Sequence, residues 1–300
     1  MAKKHFCYLI LAVIISSCST NPYKNTEKAY DQQLKTLENQ ITNKDAKPIP
    51  ATPVVIDTSY AQQLGIIKDT LSKTGSTYLV NGINTEWIGT VNFNLRKPSF
   101  VIIHHTAQDS LQQTISTFTK TKTQVSAHYI ISENGKVVQM LNDYLRAWHA
   151  GNSTWGKTTD LNSCSIGIEL DNNGFKPFTE AQISSLVALL SKLKKDYNIP
   201  TQNFLGHADI APGRKQDPSA LFPWKTLAEK GFGIWPDEVL EPAPFDFKIE
   251  PALRIIGYNT KNLSAAIQAF KLHYIQTDAT STLDRKTIDT IYSIYKKQVQ

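Results

Sequence analysis

Apolar and polar positions change character three times along the chain. Near the start, Phe6 to Ile15 is an unbroken apolar stretch of ten residues behind Lys3 and Lys4. That length is too short to cross a bilayer and suits the core of a secretion signal. Residues 18–50 are then polar, rich in Asn, Lys, Gln and Thr, and close on Pro48-Ile49-Pro50. This composition predicts a tether, with a short helix over Ala29 to Leu37. Residues 51–98 carry a weak pattern. Thr77 to Val80 and Trp87 to Val91 are candidates for short strands, and the stretch is assigned no role.

The pattern sharpens at Phe100. Phe100-Val101-Ile102-Ile103 is a continuous apolar run, as expected of a buried central strand, and it ends in His104-His105. Ser110 opens a helix with Gln113 at the capping-box position and Leu111, Ile115 and Phe118 on one face. Tyr129-Ile130-Ile131 and Val137-Val138 flank Asn134-Gly135, a hairpin signal. Ile166, Ile168 and Leu170 alternate with Gly167 and Glu169, so this strand has two unlike faces. Thr179 starts the clearest helix, with Gln182 completing a capping box and Phe178 placed to staple onto Ile183. Asn203 to Gly206 predicts one more strand, leading to His207. Past the proline-bearing connector Pro242 to Pro251, helical spacing returns at Leu263, Ala266, Ile267, Phe270 and Tyr274, and again over Leu283 to Tyr295.

Strands interleaved with helices predict an α/β protein: a mixed central β-sheet flanked by helices, followed by a small C-terminal three-helix domain. The expected boundaries are 1–17 for a signal, 18–50 for the tether, 51–98 for an unassigned extension, 99–241 for the main domain and 242–300 for the helical domain. Three hundred residues suit two domains.

Composition adds a compartment. The formal charge of +6 is permissive for an anionic polymer, but no long basic run is present, which argues against nucleic acid as a partner. Ile15-Ser16-Ser17-Cys18 resembles a bacterial lipobox, in which the cysteine receives lipid. A lipid on Cys18 would hold the chain at a membrane surface without a spanning helix. Cys7 leaves with the signal and Cys18 is acylated, so Cys164 has no disulfide partner in the mature chain and is expected as a small buried apolar residue.

The candidate chemistry lies at strand ends. His104 closes one strand, His207 another, and Asp217 follows ten residues later in a Pro-punctuated loop. Two imidazoles and one carboxylate make an open tetrahedral zinc site. Glu169, on the same strand face as Gly167, is placed to accept a proton from water and pass it to a leaving amine. Lys215 is a candidate for stabilising an oxyanion. By spacing alone, surface or hydrogen-bonded histidines remain the plain alternative.

Five segments occur in order: Val101-Ile102-Ile103-His104-His105-Thr106-Ala107, Ser126-Ala127-His128-Tyr129, Arg146-Ala147-Trp148-His149-Ala150-Gly151, Ser165-Ile166-Gly167-Ile168-Glu169-Leu170, and His207 to Pro218. Together they resemble the zinc-dependent N-acetylmuramoyl-L-alanine amidases (amidase type 2), relatives of phage lysozyme-type amidases and peptidoglycan recognition proteins. The likeness runs from about Phe100 to Trp235 and is strongest to an outer-membrane lipoprotein branch. It implies one Zn2+ per chain on His104, His207 and Asp217, with Glu169 and Lys215 catalytic. It implies hydrolysis of the amide between N-acetylmuramic acid, or its anhydro form, and L-alanine of the stem peptide. The partners are then peptidoglycan or muropeptides and, through the N-terminal lipid, a membrane. The expected location is the cell envelope, at the outer membrane, and a monomer is the default state. The competing classes are a non-catalytic peptidoglycan-binding lipoprotein and a zinc peptidase cutting within the stem peptide.

Other residues receive smaller roles. His149, Trp148 and Asn162 are candidates for contacting substrate, Asn162 alternatively for ordering its loop. His105 is a wall residue, His128 a structural hydrogen-bonder, Asp209 a loop cap and Arg214 a solvated cation. Trp155, Trp224 and Trp235 are packing residues. The segment around Gly257-Tyr258 and Phe270 loosely resembles peptidoglycan-binding helical modules.

Overall fold

The computed structural model describes residues 97–299, the strands Thr77–Val80 (β1) and Ile83–Glu86 (β2), and helical backbone at Lys28, Asp31, Gln32, Lys35 and Thr36. The expected signal, Cys18 and the Trp87 to Val91 strand lie outside the described residues. The chain divides into two compact units, Met1–Leu95 and Arg96–Gln300. In the first, β1 and β2 pair antiparallel, Thr77 opposite Glu86 and Val80 opposite Ile83. The two residues between them in sequence, Asn81-Gly82, are the dipeptide that two-residue hairpins favour.

The second unit is built on five strands: β3 (Phe100–His105), β4 (Tyr129–Ile131), β5 (Val137–Gln139), β6 (Ser165–Leu170) and β7 (Phe204–Gly206). Their spatial order is β5-β4-β6-β3-β7, with only the β4–β5 pair antiparallel. Five residues, Ser132 to Lys136, turn the β4–β5 hairpin, and Gly135 takes the positive φ of 84° that a side chain would resist. β3 lies between β6 and β7, and each of its faces packs into an apolar core. This explains why its apolar run does not alternate.

The two faces have different partners. Val101 and Ile103 of β3 join Ile166, Ile168 and Leu170 of β6 in a core under helix α2 (Glu180–Tyr197), which contributes Leu186, Leu190 and Leu193. Ile102 points the other way, with Leu205, into a second core that holds Leu253 and Ile256 from α5 (Ile249–Ile256), Phe270 from α6 (Leu263–Tyr274) and Ile291 from α7 (Arg285–Val299). The three C-terminal helices therefore share a core with the sheet. Two short helices, α3 (His207–Ile210) and α4 (Trp224–Glu229), follow β7, and α1 (Leu111–Phe118) follows β3.

Helix starts match the expected caps only in part. Ser110 Oγ accepts the Gln113 amide at 3.3 Å, and Thr179 Oγ1 accepts the Gln182 amide at 3.1 Å. Gln182 does not reach back to complete a box. Its buried amide donates instead to the carbonyls of Ile131 (2.8 Å) and Asp171 (3.2 Å). Burial is the reason: the side chain points into the junction with the sheet, where its amide needs acceptors and finds the carbonyls at the ends of β4 and β6.

Candidate metal centre

The strands β3, β4, β6 and β7 run parallel, so their carboxyl ends lie together, where α/β sheets place ligands. His104 is the last residue but one of β3, and its register partner on β6 is Glu169. His207 opens α3 at the end of β7. Asp217 closes the group from the loop after α3.

Three donor atoms face one another. His104 Nδ1 lies 3.0 Å from His207 Nδ1 and 3.0 Å from Asp217 Oδ2, and the remaining edge, His207 Nδ1 to Asp217 Oδ2, is 3.1 Å. Among the described residues these three form the group whose ligand atoms fall within 4.8 Å of one another. Tetrahedral zinc, with bonds of about 2.0–2.2 Å, spaces its ligands about 3.3 Å apart. A triangle with 3.0–3.1 Å edges is close to that figure.

The far sides of both rings are engaged. His207 Nε2–H donates to the Ala150 carbonyl at 3.2 Å, and that carbonyl also accepts Arg214 Nη2 at 2.6 Å. His104 Nε2 faces His149 Nδ1 at 3.1 Å. With His207 Nε2 protonated, its Nδ1 is bare and directed at a second nitrogen and a carboxylate oxygen. A cluster of lone pairs with too few protons suits a cation. The residues thus fit a divalent metal.

Electrostatics point the same way. Burial, then the neighbouring His207, lowers the His104 imidazole to about 4. Burial alone would raise Asp217, but hydrogen bonds with His104 and His207 bring it far below the ordinary carboxylate range. Burial, then the Asp217 charge, pushes Glu169 up to about 8, with Lys215 opposing. Lys215 is exposed, and its charge reaches His104, His105 and Glu169.

The chain resembles known amidases in sequence and in structure. The N-acetylmuramoyl-L-alanine amidase family profile matches residues 94–220. The Escherichia coli (strain K12) amidase AmiD is 44% identical over 153 residues, 46% of this chain and 54% of AmiD. A structure of E. coli AmiD in complex with the substrate anhydro-N-acetylmuramic acid-L-Ala-D-γ-Glu-L-Lys superposes with a TM-score of 0.61 at 30% identity, covering 74% of this chain and 97% of that one. The chain belongs to the N-acetylmuramoyl-L-alanine amidase family. AmpDh3 from Pseudomonas aeruginosa, of like fold, gives a TM-score of 0.61 at 28% identity over 70% of this chain and 96% of that one. In sequence the chain spans about half the length of the curated amidase it matches, 54% for AmiD.

Within this amidase fold the three candidate substrate residues separate. Trp148 is half exposed, its backbone pinned by the Ser126 hydroxyl at 2.8 Å. Asn162 is buried, and its Oδ1 accepts the amides of His149 (3.0 Å) and Ala150 (2.8 Å). His149 is also buried, behind His104, with both ring nitrogens occupied. Asn162 Oδ1 and both His149 ring nitrogens are therefore engaged within the protein and brace the site behind His104. Burial, then electrostatic interaction with the His104 and His128 imidazoles, holds the His149 imidazole well below its ordinary value.

Several supporting groups escaped sequence reasoning. A Cβ on Gly167 would stand 2.4 Å from His149 Cγ, so the space beside Glu169 is filled by that ring. Arg214 is not a free cation, since it is bound to the Ala150 carbonyl. His105 accepts the Ser219 amide at 3.1 Å, whereas His128 is the structural hydrogen-bonder expected from the sequence, bridging Leu145 O (2.9 Å) and the Gly167 amide (3.0 Å). Cys164 is half-buried rather than buried, and burial pushes its thiol upward.

Asp209 does more than cap. Its buried carboxylate accepts the Gly206 amide (2.7 Å), the Tyr258 hydroxyl (2.6 Å) and His273 Nδ1–H (2.8 Å). His273 stacks on Trp224 at 3.8 Å. The turn carrying His207 is thus tied to the C-terminal helical segment. No single stretch of sequence signals this, because its members lie 49 and 64 residues apart.

Proposed function

We propose that the chain is a zinc hydrolase that cleaves the amide between N-acetylmuramic acid, or its anhydro form, and L-alanine of peptidoglycan stem peptides. The observation that carries this is the triangle of His104, His207 and Asp217 donors with Glu169 in register beside it. Zinc held by those three residues would supply a Lewis acid that polarises a carbonyl and acidifies water to a pKa of about 7. Glu169 takes the proton from the attacking water and delivers it to the departing L-alanine nitrogen as the C–N bond breaks. Its buried position keeps the proton from exchanging with solvent between the two events. Lys215 faces the carbonyl oxygen as it gains charge. Trp148, with its exposed ring, forms part of the substrate wall.

The same proposal includes the envelope. Lipid on Cys18, with the polar stretch 18–50 as tether, would hold the enzyme at the outer membrane. Among the described residues, no helix is long and apolar enough to cross a membrane.

The test is a fragment map. Purified peptidoglycan and muropeptides are digested with zinc-loaded protein, and the products are read by mass spectrometry. Stem peptides with a free L-alanine amino terminus are expected. Cuts inside the peptide would replace this reading with a zinc peptidase, and binding without release would replace it with a recognition protein.

A further inference from the structure

We propose that His149 is a positioning residue that, with Ser165, holds His104 in the one tautomer that leaves Nδ1 free for a metal ion. The proposal rests on the metal reading above. It follows from counting protons along a chain of four groups.

The Leu161 carbonyl only accepts, so Ser165 uses its single hydroxyl proton there. Ser165 Oγ also meets His149 Nε2 at 3.2 Å. With its own proton committed, Oγ is the acceptor and His149 Nε2 carries the hydrogen. The other His149 nitrogen, Nδ1, meets His104 Nε2 at 3.1 Å. A second proton on His149 would make a buried imidazolium whose two nitrogens touch only a hydroxyl and another imidazole, an expensive arrangement. His149 Nδ1 is therefore bare and accepts from His104 Nε2–H. His104 then presents a bare Nδ1 to His207 and Asp217.

The surroundings are built for this ring. Gly167 leaves the volume that a Cβ would invade. The His149 and Ala150 amides both donate to Asn162 Oδ1, which fixes the backbone that carries the ring. His128, edge-on at 5.9 Å, is itself bonded at both nitrogens and limits rotation of His149. Metal-binding histidines commonly rely on such a partner, and its loss typically weakens metal affinity about 10–100-fold.

The experiment compares wild type, His149→Leu and His149→Asn by zinc titration against a competing chelator. It adds ¹⁵N imidazole spectra of the metal-free wild-type protein. Leu fills the volume without an acceptor, and zinc binding should weaken about 10–100-fold. Asn places its Oδ1 where His149 has Nδ1, and affinity should return toward wild type. The spectra should show His104 protonated at Nε2. Unchanged zinc affinity in His149→Leu, or a His104 protonated at Nδ1 in wild type, would overturn the proposal. A wild type that binds no zinc would sink the metal reading instead, and the spectra would still decide the relay.

Discussion

His104 and Glu169 are register partners on adjacent parallel strands, so an imidazole of the donor triangle and a buried carboxyl project from the same face of the sheet side by side. Because the backbone ladder sets this pairing, each residue can be changed without moving the other.

Replacing Glu169 with Ala should leave zinc affinity near wild type and lower kcat about 10²–10⁴-fold, the range for loss of a general acid–base. Paired zinc titration and muropeptide turnover measure both quantities. Turnover close to wild type would remove Glu169 from the proton path.

Metal should stabilise the fold as well as support cleavage. At free zinc one hundred times Kd, unfolding free energy should rise by about 2.7 kcal/mol, and chelation should reverse both the rise and the activity. Asp217→Ala removes one of three donors and should abolish the zinc-dependent rise in a urea melt.

Tyr258→Phe deletes the hydroxyl that donates to Asp209 within a buried network. A lost bond to a buried carboxylate costs about 1–3 kcal/mol. The loss should appear in urea unfolding, and zinc affinity should fall with it, since Asp209 lies two residues from His207. Stability equal to wild type would show that Asp209 is held without Tyr258.

Burial lowers His128 below its ordinary value of 6.5. Below that pH the unfolded chain binds a proton that the folded chain refuses, so the unfolded state carries more protons and stability falls as pH drops. Above 6.5 the contribution is fully present. His128→Gln should flatten the slope of unfolding free energy against pH below that value, measured against wild type at matched zinc. An unchanged slope would mean that His128 already titrates normally when folded.

Much of this was legible in the sequence because it is local. The apolar run before His104, the alternation around Glu169 and the cap at Thr179 each report on neighbours in the chain, and the corresponding elements are present. The donor set was legible because His104 and His207 lie at strand ends and Asp217 follows His207 by ten residues in a Pro-punctuated loop. The roles of Gln182, His149 and Arg214 were not. Each depends on a carbonyl or ring brought in from a distant segment: Ile131 for Gln182, His104 for His149, Ala150 for Arg214. A polar side chain's character in sequence does not say whether its partner is solvent or buried backbone. The C-terminal helices illustrate the same limit. Their spacing predicts helices, but the shared core with Ile102 and Leu205 is a long-range fact.

The knot at Asp209 constrains how such an enzyme can be rebuilt. Its carboxylate draws one donor from the turn bearing His207, one from Tyr258 and one from His273. A chimera that swaps in another helical tail at the proline connector would strand a buried anion two positions from His207. Grafts that keep Tyr258 and His273, or that exchange Asp209 together with both, are the ones with a sound starting point.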